Sequence, residues 1–142
     1  MEYRKLKGYK YQVMKMESFK TPLRYGVKVK TPFIRLGKTG ALTALKGYCW
    51  DGASGPTIDT ESTMRASLAH DMCYQLIRDG WIPKVKWKEN KAIADTLFYH
   101  ILLEDGMGKV RAWYYYRAVK WFGSSACKPR EGFRSIQPQN VL

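Results

Sequence analysis

The chain has 142 residues, of which 45% are hydrophobic and 14% aromatic, so it can build the core of one compact domain and is not a disordered basic tail. Its three cysteines are too few and too scattered for a disulfide framework, which indicates a reducing compartment. The net charge of +13 comes from residues 1–50 and 108–142, whereas residues 51–107 hold nine acidic and six basic residues. A nucleic-acid-coating protein would spread its charge more evenly, so nucleic acid is kept as a partner but is not favoured.

Two absences set the expected location. No run of about 18 apolar residues exists that would span a membrane, and the first twelve residues lack the apolar stretch of a signal peptide. We therefore expect a protein that stays in the cytoplasm in which it is made, or that is packed into a particle assembled there.

Residues 1–50 are predicted to be a β-rich basic section. Tyr9, Tyr11 and Val13 alternate with polar residues, and so do Val27 and Val29. Proline and glycine residues divide the region into short strands, which we expect to pair antiparallel. The lysines between the apolar positions are expected to lie on solvent-facing sides.

Residues 51–123 are predicted to hold a loop followed by two to three helices. Asp59 or Thr60 can cap a first helix that runs to Asp79, with Gly80 as its stop. A second helix is predicted over residues 88–105 and a third over 109–122, and residues 124–142 are predicted to form a C-terminal tail. The third helix should pack through Trp113, Tyr116 and Val119 or Lys120. The chain is thus predicted to be a single α+β domain over residues 1–142.

The most informative motif is His70-Asp71-Met72-Cys73-Tyr74, with Asp95 on the next helix. Adjacent helix residues diverge by roughly 100°, so His70 can face a reaction centre while Asp71 reaches a metal beside it. Tyr74 lies four residues after His70 on nearly the same face, and Asp95 can orient the imidazole. Asp95 borders the apolar stripe of its helix, where an unpaired carboxylate would be costly. The set predicts a base, a metal ligand and an orienting group.

These residues resemble the catalytic core of the phospholipase A2 superfamily, in which a His-Asp-x-x-Tyr helix pairs with a helix bearing an Asp and then an aromatic residue. The viral type found in parvovirus capsid proteins is nearest. The matching text is Gly55-Pro56, the Ala-rich helix that ends in His70-Asp71, and Asn90-Lys91 through Ala94-Asp95.

Residues 50–123 also resemble an uncharacterised family of tailed phages and prophages. The shared features are an Asp-Gly-Ala-Ser loop at residues 51–54, His70-Asp71, Asp95 followed by Phe98, and a late motif from Arg117-Ala118-Val119 to Phe122-Gly123. Such a protein would work in the host cytoplasm or in the virion.

The resemblance implies a phage-encoded hydrolase of phospholipid esters on a phospholipase A2-like helix pair. His70 would be the general base toward a water molecule, Asp95 would hold the other imidazole nitrogen, and Tyr74 would hydrogen-bond Asp95. Asp71 would ligate calcium, with Asp51 as a further candidate ligand in a loop whose carbonyl groups complete the site. That loop is unlike the Gly- and Cys-rich calcium loop of the secreted enzymes.

Other interpretations of the motif stay open. A catalytically degenerate form of the scaffold would serve as a structural or accessory protein of the virion tail or baseplate, within a larger assembly. Its partners would then be other virion proteins rather than a phospholipid membrane. Alternatively, the His70 group is only a buried polar network that supports the core.

The sequence gives less support for other functional roles of single residues. Cys73 is more typical of a small buried cysteine than of a thiol partner of His70, and a zinc site of Cys49, Cys73 and His70 lacks paired-ligand spacing. A metal phosphohydrolase of the His-Asp type needs another histidine before His70, and there is none. The other histidine, His100, is expected at the surface.

Overall fold

The computed structural model describes residues 1–7, 11–52 and 59–130. Within them, an antiparallel β section is followed by helices, which confirms the predicted α+β class. The strands are β1 (Tyr3–Lys5), β2 (Tyr11–Val13), β3 (Glu17–Lys20), β4 (Val29–Lys30), β5 (Ile34–Leu36), β6 (Ala41–Ala44) and β7 (Cys49–Trp50). The helices are α1 (Glu61–Arg78), a 3-10 turn (Lys84–Lys86), α2 (Trp87–Glu104), α3 (Lys109–Phe122) and α4 (Ser124–Cys127).

The strands form two antiparallel sheets, in the orders β1-β2-β7 and β3-β6-β5-β4. The alternation predicted around Tyr11 and Val13 is present, since both are buried in β2 while Gln12 between them is partly exposed. Val29 is buried in β4, but Val27 precedes that strand and is 42% exposed. Tyr9 lies outside the described residues.

The three main helices begin and end within a residue or two of their predicted limits. Thr60 caps α1, and its backbone N–H donates to Thr63 Oγ1 at 2.8 Å. After the C-cap Asp79, Gly80 adopts φ +77°, a left-handed conformation that glycine tolerates and that ends a helix. The short helix α4 was not predicted, because four residues are too few to show a helical period.

The buried face of α3 differs from the prediction. Ala112, Tyr115, Ala118 and Val119 are buried, whereas Trp113 is 52% exposed. The two alanines let α3 approach the rest of the helical layer closely, and Trp113 is turned by about 100° from Ala112 around the helix axis. Trp113 was therefore wrongly predicted to belong to the packed face.

Helices α1 and α2 pack antiparallel, and this pairing positions the candidate site. His70 meets Asp95 midway along both helices, and Arg65 near the start of α1 bonds Asp105 just past the end of α2 at 2.7 Å. Helix α1 is buried on most of its circumference, so groups at its centre are withdrawn from water. Across the described ranges, no helix combines the length and apolar character needed to cross a membrane.

Candidate functional site

His70, Tyr74 and Asp95 meet in the centre of the α1–α2 pair. His70 Nε2 lies 2.8 Å from Asp95 Oδ1, and the Tyr74 hydroxyl donates to the same oxygen at 2.6 Å. His70 and Asp95 are each only 2% exposed. The imidazole packs between the Tyr74 and Phe98 rings, with centroids 3.9 and 5.1 Å away, so its orientation is determined by both hydrogen bonding and packing.

A fourth member of this group, Lys91, was not singled out from the sequence. Its ammonium is 2.7 Å from Asp95 Oδ2, and it also donates to the carbonyls of Lys120 at 3.1 Å and Val119 at 3.4 Å. Lys91 is buried, and it joins α2 to the C-terminal end of α3. The signal available in the sequence was the spacing of four residues between Lys91 and Asp95, which suits a helical ion pair.

The charges of the group depend on these contacts. Burial raises the pKa of Asp95, but hydrogen bonds from His70, Lys91 and Tyr74, with the charge of His70, outweigh it and the pKa is lowered. Burial lowers the pKa of His70, yet polar interactions with Asp71 and Asp95 outweigh it and the pKa is raised. Burial and the Asp95 charge raise the pKa of Tyr74, which therefore remains a hydroxyl donor. Asp95 is thus an ionised acceptor surrounded by donors.

Asp71 lies on the other side of the imidazole, at a surface cleft of about 370 Å³. Its Oδ1 is 3.9 Å from His70 Nδ1, which is a charge contact rather than a hydrogen bond, and its side chain is 23% exposed. Burial raises the pKa of Asp71, although His70 and a hydrogen bond from the Asp51 backbone N–H act in the opposite direction. Asp51 is exposed and lines the same cleft, so the structure brings both candidate metal ligands together.

The chain segment that carries Asp51 is anchored on both sides. Trp50 Nε1 donates to Ser67 Oγ on α1 at 3.0 Å, which holds the end of β7 against the helix. Gly52 has φ +90°, and a Cβ there would lie 2.6 Å from Asp59 Oδ1, so only glycine fits. The Tyr11 hydroxyl donates to Asp59 Oδ2 at 2.8 Å. The rest of the predicted metal loop, with Ser54, Gly55 and Pro56, lies outside the described residues.

The oxygen ligands available at the cleft meet only some of the requirements of a hard cation. Asp51 and Asp71 offer carboxylate oxygens, which calcium prefers, and a cation would compensate the unfavourable burial of Asp71. Across residues 1–7, 11–52 and 59–130, however, no group of three or more His, Cys, Asp or Glu side chains is arranged to hold a metal. A calcium ion at these two carboxylates would need backbone carbonyls and water as its other ligands, and a zinc site of Cys49, Cys73 and His70 does not form.

Two further candidate residues from the sequence are Cys73 and His100. Burial raises the pKa of the Cys73 thiol to about 12, so Cys73 is a protonated core residue and not a nucleophile. His100 is exposed on α2, as predicted.

Gly123, at the end of α3, packs closely against Tyr74 of the site. A Cβ at this position would lie 2.3 Å from the Tyr74 hydroxyl and 2.5 Å from the Val119 carbonyl. The end of α3 can therefore pack over Tyr74 only with glycine at position 123. This close approach gives a physical reason for the glycine that ends the late motif of the sequence.

Comparison with known proteins gives one match. A family model described as a protein of unknown function, DUF1353, matches residues 27–119. The matched span covers well over half of the chain and contains His70, Asp71, Tyr74, Lys91 and Asp95. No curated protein and no solved structure is significantly similar to the chain.

Proposed function

The chain belongs to the DUF1353 family of proteins of unknown function, and from the geometry of its own site we propose that it is a phospholipase A2-like hydrolase of phospholipid esters. One observation carries the proposal. His70 is bonded through Nε2 to Asp95 at 2.8 Å, while Nδ1 faces Asp71 at the edge of the cleft. A histidine that is held by a carboxylate at one nitrogen, and whose other nitrogen faces a residue lining a cleft, is arranged as a general base.

The chemistry follows from the tautomer. With the proton on Nε2 donated to Asp95, Nδ1 carries the lone pair and can take a proton from water in the cleft. The water oxygen bonds to the ester carbonyl carbon, the bond to the alcohol oxygen breaks, and the proton on Nδ1 passes to that leaving oxygen. Asp95 stabilises the imidazolium in between, and Tyr74 and Lys91 keep Asp95 in place.

Calcium is the proposed cofactor, held by Asp71 and Asp51. When bound, it would polarise the ester carbonyl and offset negative charge on its oxygen. The proposed origin is a phage or prophage, supported by the resemblance of residues 50–123, and the proposed place of action is a phospholipid surface reached from the virion or the host cytoplasm.

The test is release of fatty acid from anionic phospholipid vesicles, with calcium or with a chelator. We expect His70→Gln to lower the rate by at least about a hundredfold, the scale of general base catalysis. His100→Gln is the matched control, because His100 is an exposed histidine on α2. Equal rates for the wild type and His70→Gln would contradict the mechanism, and equal rates with and without calcium would remove the metal from it.

A second candidate function is a structural or accessory protein of the virion tail or baseplate. It is favoured by the exposed aromatic face of α3, where Trp121 is 67% and Phe122 is 59% exposed. The Arg117 guanidinium stacks over Trp113 and Trp121, at 5.7 and 5.1 Å from the ring centroids. Aromatic rings combined with arginine are enriched at protein interfaces.

This candidate predicts that purified particles contain the chain at a fixed copy number. Replacing Trp121 and Phe122 with serine should remove it from the particles, whereas Val110→Ser should not, although Val110 is 86% exposed on the same helix. Particles that lack the wild-type chain would exclude this role.

A further inference from the structure

A second part of the cleft lies beyond the His70 group, along one stripe of α1. Asp71, Gln75 and Arg78 follow at intervals of four and three residues, which brings them to the same side of the helix. All three line the cleft, and Arg130 joins them from the segment after α4. None of the roles discussed above uses Arg78 or Arg130.

The cleft is divided by charge into two ends. Asp71 and Asp51 meet at one end, where the Asp51 backbone N–H bonds the Asp71 carboxylate. At the other end the Arg130 backbone N–H donates to the Arg78 carbonyl at 3.2 Å, so two arginine residues line this part of the cleft. Asp71 and Arg78 are seven residues apart on α1, which is about 10 Å along the helix axis.

The middle of the cleft is polar and neutral. The Tyr48 hydroxyl donates to Gln75 Oε1 at 3.2 Å. Burial raises the pKa of Tyr48 well above its usual value, the Asp71 charge adds to this effect, and Arg78 opposes it. Tyr48 is therefore a neutral group that lies between the acidic and the basic end.

Among the described residues, the Arg78 guanidinium makes two long contacts. Its Nη1 donates to the Ala126 carbonyl at 3.4 Å, and its Nε lies 3.5 Å from Asp79 Oδ1, so both contacts are at the limit of hydrogen bonding. A phosphate group accepts shorter bonds, about 2.7–2.9 Å, from the planar guanidinium fork. Exchange of these long contacts for phosphate oxygens is thus favourable in geometry and in charge.

We propose that the Arg78–Arg130 end of the cleft binds a phosphate group carried by the ester substrate. This inference rests on the proposed hydrolase function and concerns its substrate specificity. The two arginines would raise the affinity for esters with a nearby phosphate and would leave the affinity for other esters unchanged. Arg78 and Arg130 are then specificity-determining residues, and Asp71 with His70 lies at the end where the ester is cleaved.

The first experiment compares two short-chain esters in water, dihexanoylphosphatidylcholine and dihexanoylglycerol, both as monomers. Loss of charge-assisted hydrogen bonds of this kind corresponds to a roughly ten- to hundredfold change. We expect Arg78→Gln to raise KM for the phosphate ester by that factor, with kcat and the KM for the glyceride little changed. Arg24→Gln is the matched control, since Arg24 is an exposed arginine between β3 and β4. Equal KM values for the phosphate ester in the wild type and Arg78→Gln would overturn the inference and leave the hydrolase intact.

The second experiment measures binding without turnover, by titrating the phosphate ester and inorganic phosphate into the His70→Gln variant. Binding of the ester that weakens when Arg78→Gln or Arg130→Gln is added supports the inference, even if no preparation hydrolyses any ester and the hydrolase proposal fails. Binding of inorganic phosphate that does not compete with the ester would overturn it, because the arginines would then hold a free anion. Arg130→Gln also serves if Arg78→Gln does not fold.

Discussion

The two carboxylates on either side of His70 have opposite surroundings. Asp95 is 2% exposed, accepts hydrogen bonds from Tyr74 and Lys91 and meets the His70 ring nitrogen, and its pKa is lowered. Asp71 is adjacent to His70 in sequence, yet its side chain is 23% exposed at a cleft, and its pKa is raised by burial. The fold supplies hydrogen-bond donors to both oxygens of Asp95, whereas Asp71 lines the cleft and burial disfavours its charged form.

This difference indicates that one carboxylate orients His70 and that the other is placed to bind a ligand. A buried carboxylate that already accepts from three donors can orient a neighbour, and its burial withdraws it from a ligand in solvent. A carboxylate at a cleft, with a pKa raised by burial, gains most from an incoming cation. The α2 side of His70 therefore orients the imidazole and the cleft side binds ligands, and substitutions can test this division.

The largest effect is expected from Lys91→Met. This change leaves the Asp95 charge buried without its ammonium partner, and removal of one member of a buried pair costs about 3–5 kcal/mol. The free energy of unfolding, measured by urea titration, checks this value. The double variant Lys91→Met/Asp95→Asn should recover much of the loss, because no unpaired charge remains. A loss below about 1 kcal/mol in the single variant would mean that Asp95 is not held as described.

A smaller effect is expected from Gly123→Ala. The added methyl group would meet the Tyr74 hydroxyl at 2.3 Å, so α3 must shift, at a cost of about 1–3 kcal/mol for overpacking. The melting temperature should fall accordingly. The control Gly108→Ala has open space at its Cβ and should change it little. A Gly123→Ala variant as stable as the wild type would show that the end of α3 does not press on Tyr74.

The smallest effect is expected from Asp71→Asn, about 0.5 kcal/mol and toward greater stability at neutral pH. Because the folded-state pKa of Asp71 is raised above its ordinary value of 3.8, the folded protein loses stability as the pH rises through that pKa. Asp95 has the opposite sign: its pKa is lowered, so its contribution is present above pH 3.8 and is lost as the pH falls through the folded value.

Urea unfolding between pH 3 and 7 distinguishes the two carboxylates. As the pH rises, the wild type should become less stable relative to Asp71→Asn and more stable relative to Asp95→Asn. The same trend for both variants would contradict the assignment of separate roles.

Much of the helical layer was predictable because its signals are local. Thr60 and Gly80 mark the ends of α1 through capping and a left-handed turn, and Lys109–Phe122 was predicted at its observed limits. The meeting of His70 with Asp95 was predictable from the resemblance. Lys91 was missed, since a lysine four residues before an aspartate ordinarily indicates a solvent-exposed pair. Its burial follows from the docking of α3, which no local pattern encodes.

The features that depend on packing were not predictable. Trp113 was expected to pack because Trp113, Tyr116 and Val119 or Lys120 recur on successive turns, yet Ala112 and Ala118 belong to the packed face and bring α3 close. Arg78 and Arg130 are far apart in sequence, and they share a cleft only because the chain after α4 returns alongside α1. Neither outcome has a signal in residue spacing.

The polar contacts between α1 and α2 also have a consequence for helix alignment. His70 opposes Asp95, Tyr74 lies beside Lys91, and Arg65 reaches Asp105, so three contacts along the seam share one register. A slide of one helix by a single turn, about 5.4 Å, would separate all three pairs at once. Apolar stripes alone tolerate such a slide far better, because leucine, methionine and phenylalanine can repack against one another. The polar contacts of Arg65, His70 and Tyr74 on α1 with groups on or next to α2 thus favour one alignment of the two helices over its neighbours.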